Sequence, residues 1–206
     1  MDKSSVLFQC MGKKEATEGG ANVAKPELTK RLIADTLKEL MQHTPLDKIS
    51  VQSIVEACGI NRKTFYYHFR DKQALVCWIF DTECEGITDL NNNNTAIDEL
   101  LEHLYQNKQF YVAALTSDAQ NNLRDHFFDI VYRDIRQKVL RMLGDQTMAD
   151  GKATLISRYF THAIVGSIAQ WARDGMQSSP NEYNIDLHPL VEGCLEYTVQ
   201  RYKEPQ

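Results

Sequence analysis

The stretch ACGINRKTFYYHFRDKQAL, residues 57–75, sets aromatic residues and a histidine beside basic ones, with a glycine just upstream. Its small residues sort it into elements. Gly59 tolerates the left-handed conformation that ends many helices. Asn61 is a good cap for a short helix running to about Tyr67 or His68, and Asp71 for a further one that opens Lys72-Gln73-Ala74-Leu75. Immediately upstream, Ser50 can cap a helix through about Cys58 that buries Val51, Ile54 and Val55. Helix, glycine turn, helix is the helix-turn-helix arrangement, whose second helix can lie in the major groove of DNA.

That arrangement gives each side chain of the stretch a direction. Ile54, Ala57, Ile60 and Phe65 are expected to form the small core that fixes the angle between the two helices, with Phe69 also inward. Arg62, Lys63 and Thr64 fall on the exposed first turn of the second helix. Arg62 and Lys63 carry donors suited to guanine O6 and N7 or to phosphate, and Thr64 offers a hydroxyl and a methyl group. Tyr66, Tyr67 and His68 suit phosphate contacts from hydroxyl or imidazole donors. Thr29, Ser50 and Lys72 stand at expected helix starts, where backbone N–H groups favour an anion. The expected DNA-binding set is thus Thr29, Ser50, Asn61, Arg62, Lys63, Thr64, Tyr66, Tyr67, His68 and Lys72. Taken singly, His68 reads equally well as a structural histidine and Lys72 as a solvated charge.

Outward from this core the period stays helical. Thr29 is a candidate cap for a helix whose apolar face is Leu32, Ile33, Leu37, Leu40 and Met41, closed by Pro45. Residues 1–26 lack periodicity and read as a flexible arm. Beyond an asparagine-rich break at 91–95, helices are expected near 95–106, 108–118, 122–143, 151–174 and 188–202, with loops at Gly144-Asp145 and from Gln177 to Asn184. No alternating strand pattern occurs. The fold class is all-α, in three parts: the arm 1–26, a helix-turn-helix DNA-binding domain at 27–72, and a helical regulatory and dimerisation domain at 73–206.

The totals agree with this division. The chain has 206 residues, 43% of them hydrophobic, which supports a substantial core. Its net charge of -5 hides an asymmetry: Lys25–Phe80 carries nine basic and six acidic residues, and Asp81–Gln206 eleven and nineteen. Five cysteines without C-x-x-C spacing suggest reduced thiols, not a disulfide framework or zinc site. No apolar run is long enough to span a bilayer, and the expectation is a soluble cytoplasmic protein without membrane partners. No nucleophile elbow, phosphate loop or H-E-x-x-H occurs, so an enzyme is not expected.

The segment ISVQSIVEACGINRKTFYYHFRDKQAL, residues 49–75, resembles the N-terminal signature of the TetR family of bacterial transcriptional regulators. Cys58-Gly59-Ile60-Asn61 matches the turn, Thr64 to Phe69 the recognition helix, and Lys72 with Leu75 the start of the next. Cys58 departs from the usual alanine and Asn61 from serine or threonine. NRKTFYYHF with LVCWIF, and more loosely YFTHAIVGSIAQWARDGMQSSPNEY, are similar to the branch that includes regulators of dihydroxyacetone kinase operons. The resemblance implies an all-helical homodimer joined through its last two long helices. It further implies a regulator, usually a repressor, released from a palindromic double-stranded DNA operator by a small-molecule inducer or partner. The alternative is a co-regulator of the same fold that acts through protein contacts.

For the second half, aromatic and titratable residues on expected inner helix faces are the ligand candidates: Trp78, His103, Phe110, Tyr111, Phe127, Tyr159 and His162, with Tyr105, His126 and Tyr132 of the same kind. Most such residues are simply core. No metal or cofactor is expected, because the histidines lack ligand spacing. Ala163, Gly166, Ser167 and Ala169 would allow close helix approach, with Trp171 as a candidate anchor for a dimer contact.

Overall fold

In the computed structural model, the residues described are 25–87, 96–145, 147–149 and 151–203, without the side chains of 96, 185–190 and 192. The arm through residue 24 and the asparagine-rich break at 91–95 lie outside them. Nine helices are described: α1 Lys25–Met41, α2 Val51–Cys58, α3 Arg62–His68, α4 Lys72–Glu83, α5 Ala96–Gln106, α6 Lys108–Thr116, α7 Leu123–Leu143, α8 Lys152–Arg173 and α9 Pro180–Tyr202. A 3₁₀ turn at Leu46–Lys48 links α1 to α2. Among the described residues the only β pairing is an isolated bridge between Met148 and Lys203.

The caps around the helix-turn-helix form as their residue types require. Ser50 Oγ accepts from Ser53 N at 3.0 Å while Ser53 Oγ accepts from Ser50 N at 2.9 Å, a reciprocal box at the start of α2. Gly59 ends that helix at φ 68°, ψ 25°, where a side chain would be strained by the backbone alone. Asn61 Oδ1 accepts from Thr64 N at 2.8 Å, and Asp71 Oδ1 from Ala74 N at 2.8 Å. Ile33, Leu37, Ile54, Val55, Phe65 and Phe69 are buried together.

Three expectations here need correction. The first helix already runs from Lys25, so residues 25 and 26 are helical and Thr29 is not its cap; Thr29 Oγ1 donates to Lys25 O at 3.1 Å from the second turn. Leu32 faces solvent, and Ala34 completes the buried stripe instead. Ala57 is exposed, its place in the small core taken by Val55 on the buried side of α2.

In the second half, α7 packs along α8, and α6 and α9 also lie against α8. Leu123, Phe127, Val131, Ile135, Val139 and Leu143 recur every fourth residue and give α7 a buried ridge inclined to its axis. The buried hydroxyls of α8 donate back along their own helix, Ser157 to Ala153 O at 2.6 Å and Thr161 to Ser157 O at 2.7 Å. The last helix begins at Pro180, not 188. Two prolines compete for its first turn, Pro180 and Pro189, and the former is preceded by a complete box in which Ser179 Oγ accepts from Glu182 N and Ser179 N donates to Glu182 Oε2. The two halves meet where α1 touches α6 and where α4 lies on α7.

Candidate nucleic-acid interface

On α3 the alternation of burial separates scaffold from surface. Phe65 is fully buried and Phe69, just past the helix, is 4% exposed; Arg62, Lys63, Tyr66 and Tyr67 are exposed, Tyr67 at 79%. Tyr66 stands edge-on to Phe65 at 5.5 Å and Tyr67 edge-on to His68 at 4.9 Å, so the exposed rings rest on the helix instead of trailing in solvent. The outer face of α3 carries two cations and no carboxylate.

These polar side chains differ in how far they are already engaged. Arg62 Nη2 donates to Tyr66 Oη at 3.2 Å, with the guanidinium 5.7 Å from the ring centroid. Thr64 is half-buried, and its hydroxyl donates to Asn61 Oδ1 at 3.1 Å. Asn61, itself exposed, thus holds both the amide and the hydroxyl of Thr64. Lys63 is exposed, without an ion pair among the described residues. His68 is half-buried.

Lys72 is neither a solvated charge nor a free phosphate donor. Its Nζ donates to Leu46 O at 2.5 Å and Ile49 O at 2.7 Å, tying the start of α4 to the turn that leads into α2. Burial lowers its pKa, and the Asp47 charge opposes that shift. Thr29 is half-buried inside α1, so of the three expected helix-start positions Ser50 alone is an exposed cap.

The ligand candidates are spread between the packed interior and the surface. Phe110, Tyr111 and Phe127 are packed interior, with Phe80 edge-on to Tyr111 at 6.2 Å and to Phe127 at 5.7 Å. Trp78 is half-buried beside Phe69 at 5.7 Å, under Lys30 Nζ at 5.6 Å. Tyr159 and His162 lie on the outer face of α8, not an inner one, Tyr159 at 68% exposure. His162 and Phe128, 4.6 Å apart, help line an open cleft of about 390 Å³ between α7 and α8, with Arg124, Asp125, Asp129, Val165 and Gly166. Trp171 is also turned inward: it is buried between Tyr105 and Tyr183, stacked at 6.2 and 4.9 Å, and its indole N–H donates to Ser178 O. That fold-internal stack replaces the expected dimer anchor.

His103 belongs to a polar cluster that no sequence motif announces. Glu83, at the end of α4, accepts from Lys38 of α1 through Oε1 and from Tyr111 of α6 through Oε2 at 2.8 Å; His103 of α5 lies 3.1 Å from Tyr111 Oη and 3.4 Å from Glu83 Oε2. Burial alone would raise the Glu83 pKa, but hydrogen bonds from His103, Lys38 and Tyr111 and the Lys38 charge bring it down to about 2. Nearby, His126 Nε2 and Asp81 Oδ1 are 2.6 Å apart, and that hydrogen bond holds the His126 pKa up despite partial burial. Burial pushes the Cys77 and Cys84 thiols up to about 11 and about 12, which leaves them protonated and poor nucleophiles. Among the described residues no group of His, Cys, Asp and Glu is arranged to hold a metal, and no helix is long and apolar enough to cross a membrane.

A family profile described as "Bacterial regulatory proteins, tetR family" matches residues 33–77, and one described as "Transcriptional regulator C-terminal region" (TetR_C_8) matches residues 91–193, half of the chain. The chain belongs to the tetR family. It is a DNA-binding transcriptional regulator and not an enzyme. The HTH-type dhaKLM operon transcriptional activator DhaS of Lactococcus lactis subsp. lactis is 29% identical over 150 residues, 69% of this chain and 79% of that one. The HTH-type transcriptional regulator EthR of Mycobacterium tuberculosis is 34% identical over 64 residues, 30% of each chain. Among solved structures, the dihydroxyacetone kinase operon activator DhaS superposes with a TM-score of 0.59 at 23% identity, covering 86% of this chain and 99% of its own. NalD, the secondary repressor of the MexAB-OprM multidrug efflux pump in Pseudomonas aeruginosa, gives 0.53 at 19%, covering 81% and 95%. The branch suggested by NRKTFYYHF is thus that of the relative matched over most of the chain.

Proposed function

We propose that this tetR-family regulator works as a homodimer whose two α3 helices enter successive major grooves of a palindromic operator. The observation that carries the reading is the outer face of α3: Arg62, Lys63, Tyr66 and Tyr67 exposed together on a helix whose opposite side is locked by Phe65. In this reading Arg62 and Lys63 supply base-edge and phosphate donors, Thr64 lies at the groove floor, and Tyr67 and His68 meet the backbone. Ser50 offers the N-terminus of α2 to a phosphate. Residues through 72 form the DNA-reading unit and the rest the regulatory and dimerisation unit, with α4 common to both.

Dimerisation is supported by the surface of the last two long helices. Leu155, Tyr159, Ala163 and Gly166 form an exposed stripe on α8, and Gly193, Cys194, Tyr197 and Arg201 an exposed strip on α9. Large rings beside small residues are what a close four-helix contact between two copies needs. Half-sites would lie about 34 Å apart, one helical turn of DNA. A small molecule or protein partner would act by binding two arrangements of the dimer with different affinity. Activation or repression then depends on where the operator lies relative to the promoter, a property of the DNA.

Selection of bound duplexes from random DNA with the purified protein at low salt tests this reading. The expected result is an enriched inverted repeat, with one dimer on each site. Failure to enrich any sequence would favour a co-regulator acting through protein contacts.

A further inference from the structure

The exposed polar groups on α3 are not equivalent in what they can still offer a base. The Thr64 hydroxyl spends its proton on Asn61 Oδ1, so outward it presents acceptor lone pairs and a methyl group. It cannot donate to guanine. Lys63 has donors but no fork, and its long stem is unrestrained. Arg62 alone on this face combines a planar fork with a fixed position. It sits at the first residue of α3, and Tyr66, four residues on, lies beside it on the same face. The ring carries the guanidinium at 5.7 Å and the phenol oxygen accepts from Nη2 at 3.2 Å, which leaves the other N–H groups of the fork without a partner among the described residues. No carboxylate among the described residues pairs with Arg62.

We infer that Tyr66 is a positioning residue for Arg62, holding its guanidinium as the reader of one guanine in each operator half-site. This rests on the DNA-reading role proposed for α3 and gives that role a chemical specificity. Two parallel donors match guanine O6 and N7, the acceptor pair of the major groove. An arginine held in place before contact loses less side-chain freedom on binding than one fixed by the DNA itself. Tyr66 thus acts through Arg62, not by its own contact with the duplex.

The test uses the full-length protein, first to select a site from random duplex DNA, then to measure binding of wild type, R62A, Y66F, Y66A and R62A/Y66A. Each duplex is the selected site or a version with one G·C pair replaced. R62A should flatten the preference for one G·C pair per half-site by about tenfold or more. Y66A should flatten the preference at that same pair several-fold, and Y66F, which keeps the ring, by less. The double variant should be no worse there than R62A. Because Tyr66 and Arg62 are exposed, all variants should keep the wild-type helical signal. An enriched wild-type site at which Y66A weakens every sequence equally, and adds to R62A, would overturn the inference and mark Tyr66 as a direct phosphate contact. So would a Y66A variant with unaltered preference at that pair. Absence of any wild-type site would remove the DNA-reading role, and this inference with it.

Discussion

Glu83→Gln isolates the charge that ties α1, α5 and α6 to the end of α4. The carboxylate is held at about 2 against an ordinary 4.5, by donors on three other helices. A shift of that size corresponds to about 3 kcal/mol favouring the ionised form, at about 1.4 kcal/mol per unit. The side chain is 27% exposed, so solvent screening removes only part of this. The amide that replaces the carboxylate can still accept from Tyr111 but no longer answers the Lys38 ammonium. A loss of about 2 to 3 kcal/mol at neutral pH is expected, or about 5 to 10 °C in Tm for a chain of this length.

The pH dependence makes the argument specific. The folded-state pKa is depressed, so the stabilisation is whole above about 4.5 and fades as pH falls toward 2. Urea unfolding of wild type and variant, followed by circular dichroism at pH 7 and pH 3, should therefore show a gap that narrows in acid. Protein concentration must be equal, since self-association shifts apparent stability. Equal midpoints at pH 7, or a gap of the same size at pH 3, would refute the reasoning.

Lys72→Met should destabilise the fold by about 1 to 3 kcal/mol, because Leu46 O and Ile49 O lose their donor, while the salt dependence of DNA binding changes little; Lys63→Ala should do the reverse, lowering the salt slope by about one with unchanged Tm. His126→Gln should remove a stabilising contribution that is present below pH 6.5 and lost as pH rises through the elevated folded-state value, read as a smaller difference in unfolding midpoint between pH 6 and pH 9. Tyr159→Arg should weaken self-association, seen by sedimentation as a shift toward monomer at micromolar concentration; an unaltered dimer would move the proposed interface off this part of α8.

The sequence is most legible where one residue type has one physical job. Ser50, Gly59, Asn61 and Asp71 each sit where predicted, because caps and left-handed positions admit few side chains. Thr29 fails as a cap for the same physical reason: its hydroxyl is equally content donating back to Lys25 O inside a helix, so threonine alone does not mark a start. Pro180 is readable in principle, since S-P-N-E is a capping box with proline at N1, but Pro189 offers a rival start. The Glu83 cluster is not readable. Lys38, Glu83, His103 and Tyr111 come from four helices, and only tertiary packing brings them together. Lys72 misleads in a related way, because a lysine at a helix start looks identical in sequence whether it reaches outward or bonds two carbonyls behind it.

What the packing adds is a set of ties at both ends of α4. Its first residue, Lys72, is bonded to the turn before α2; its middle carries Trp78 against Phe69 of the helix-turn-helix. Its last turn is held from the regulatory side, Asp81 by His126 of α7 and Glu83 by Tyr111 of α6 with His103 of α5 alongside. One short helix is therefore fastened to the helix-turn-helix at one end and to α5, α6 and α7 at the other, with Lys38 of α1 reaching the same carboxylate. A shift of α5, α6 or α7 must either carry the end of α4 with it or break charged hydrogen bonds, worth about 1.5 to 3 kcal/mol each where partly buried, as at Glu83, and less at the exposed Asp81. Two or more such bonds together exceed the couplings by which effectors typically act, about 1 to 3 kcal/mol, so these ties are strong enough to transmit a coupling of that size.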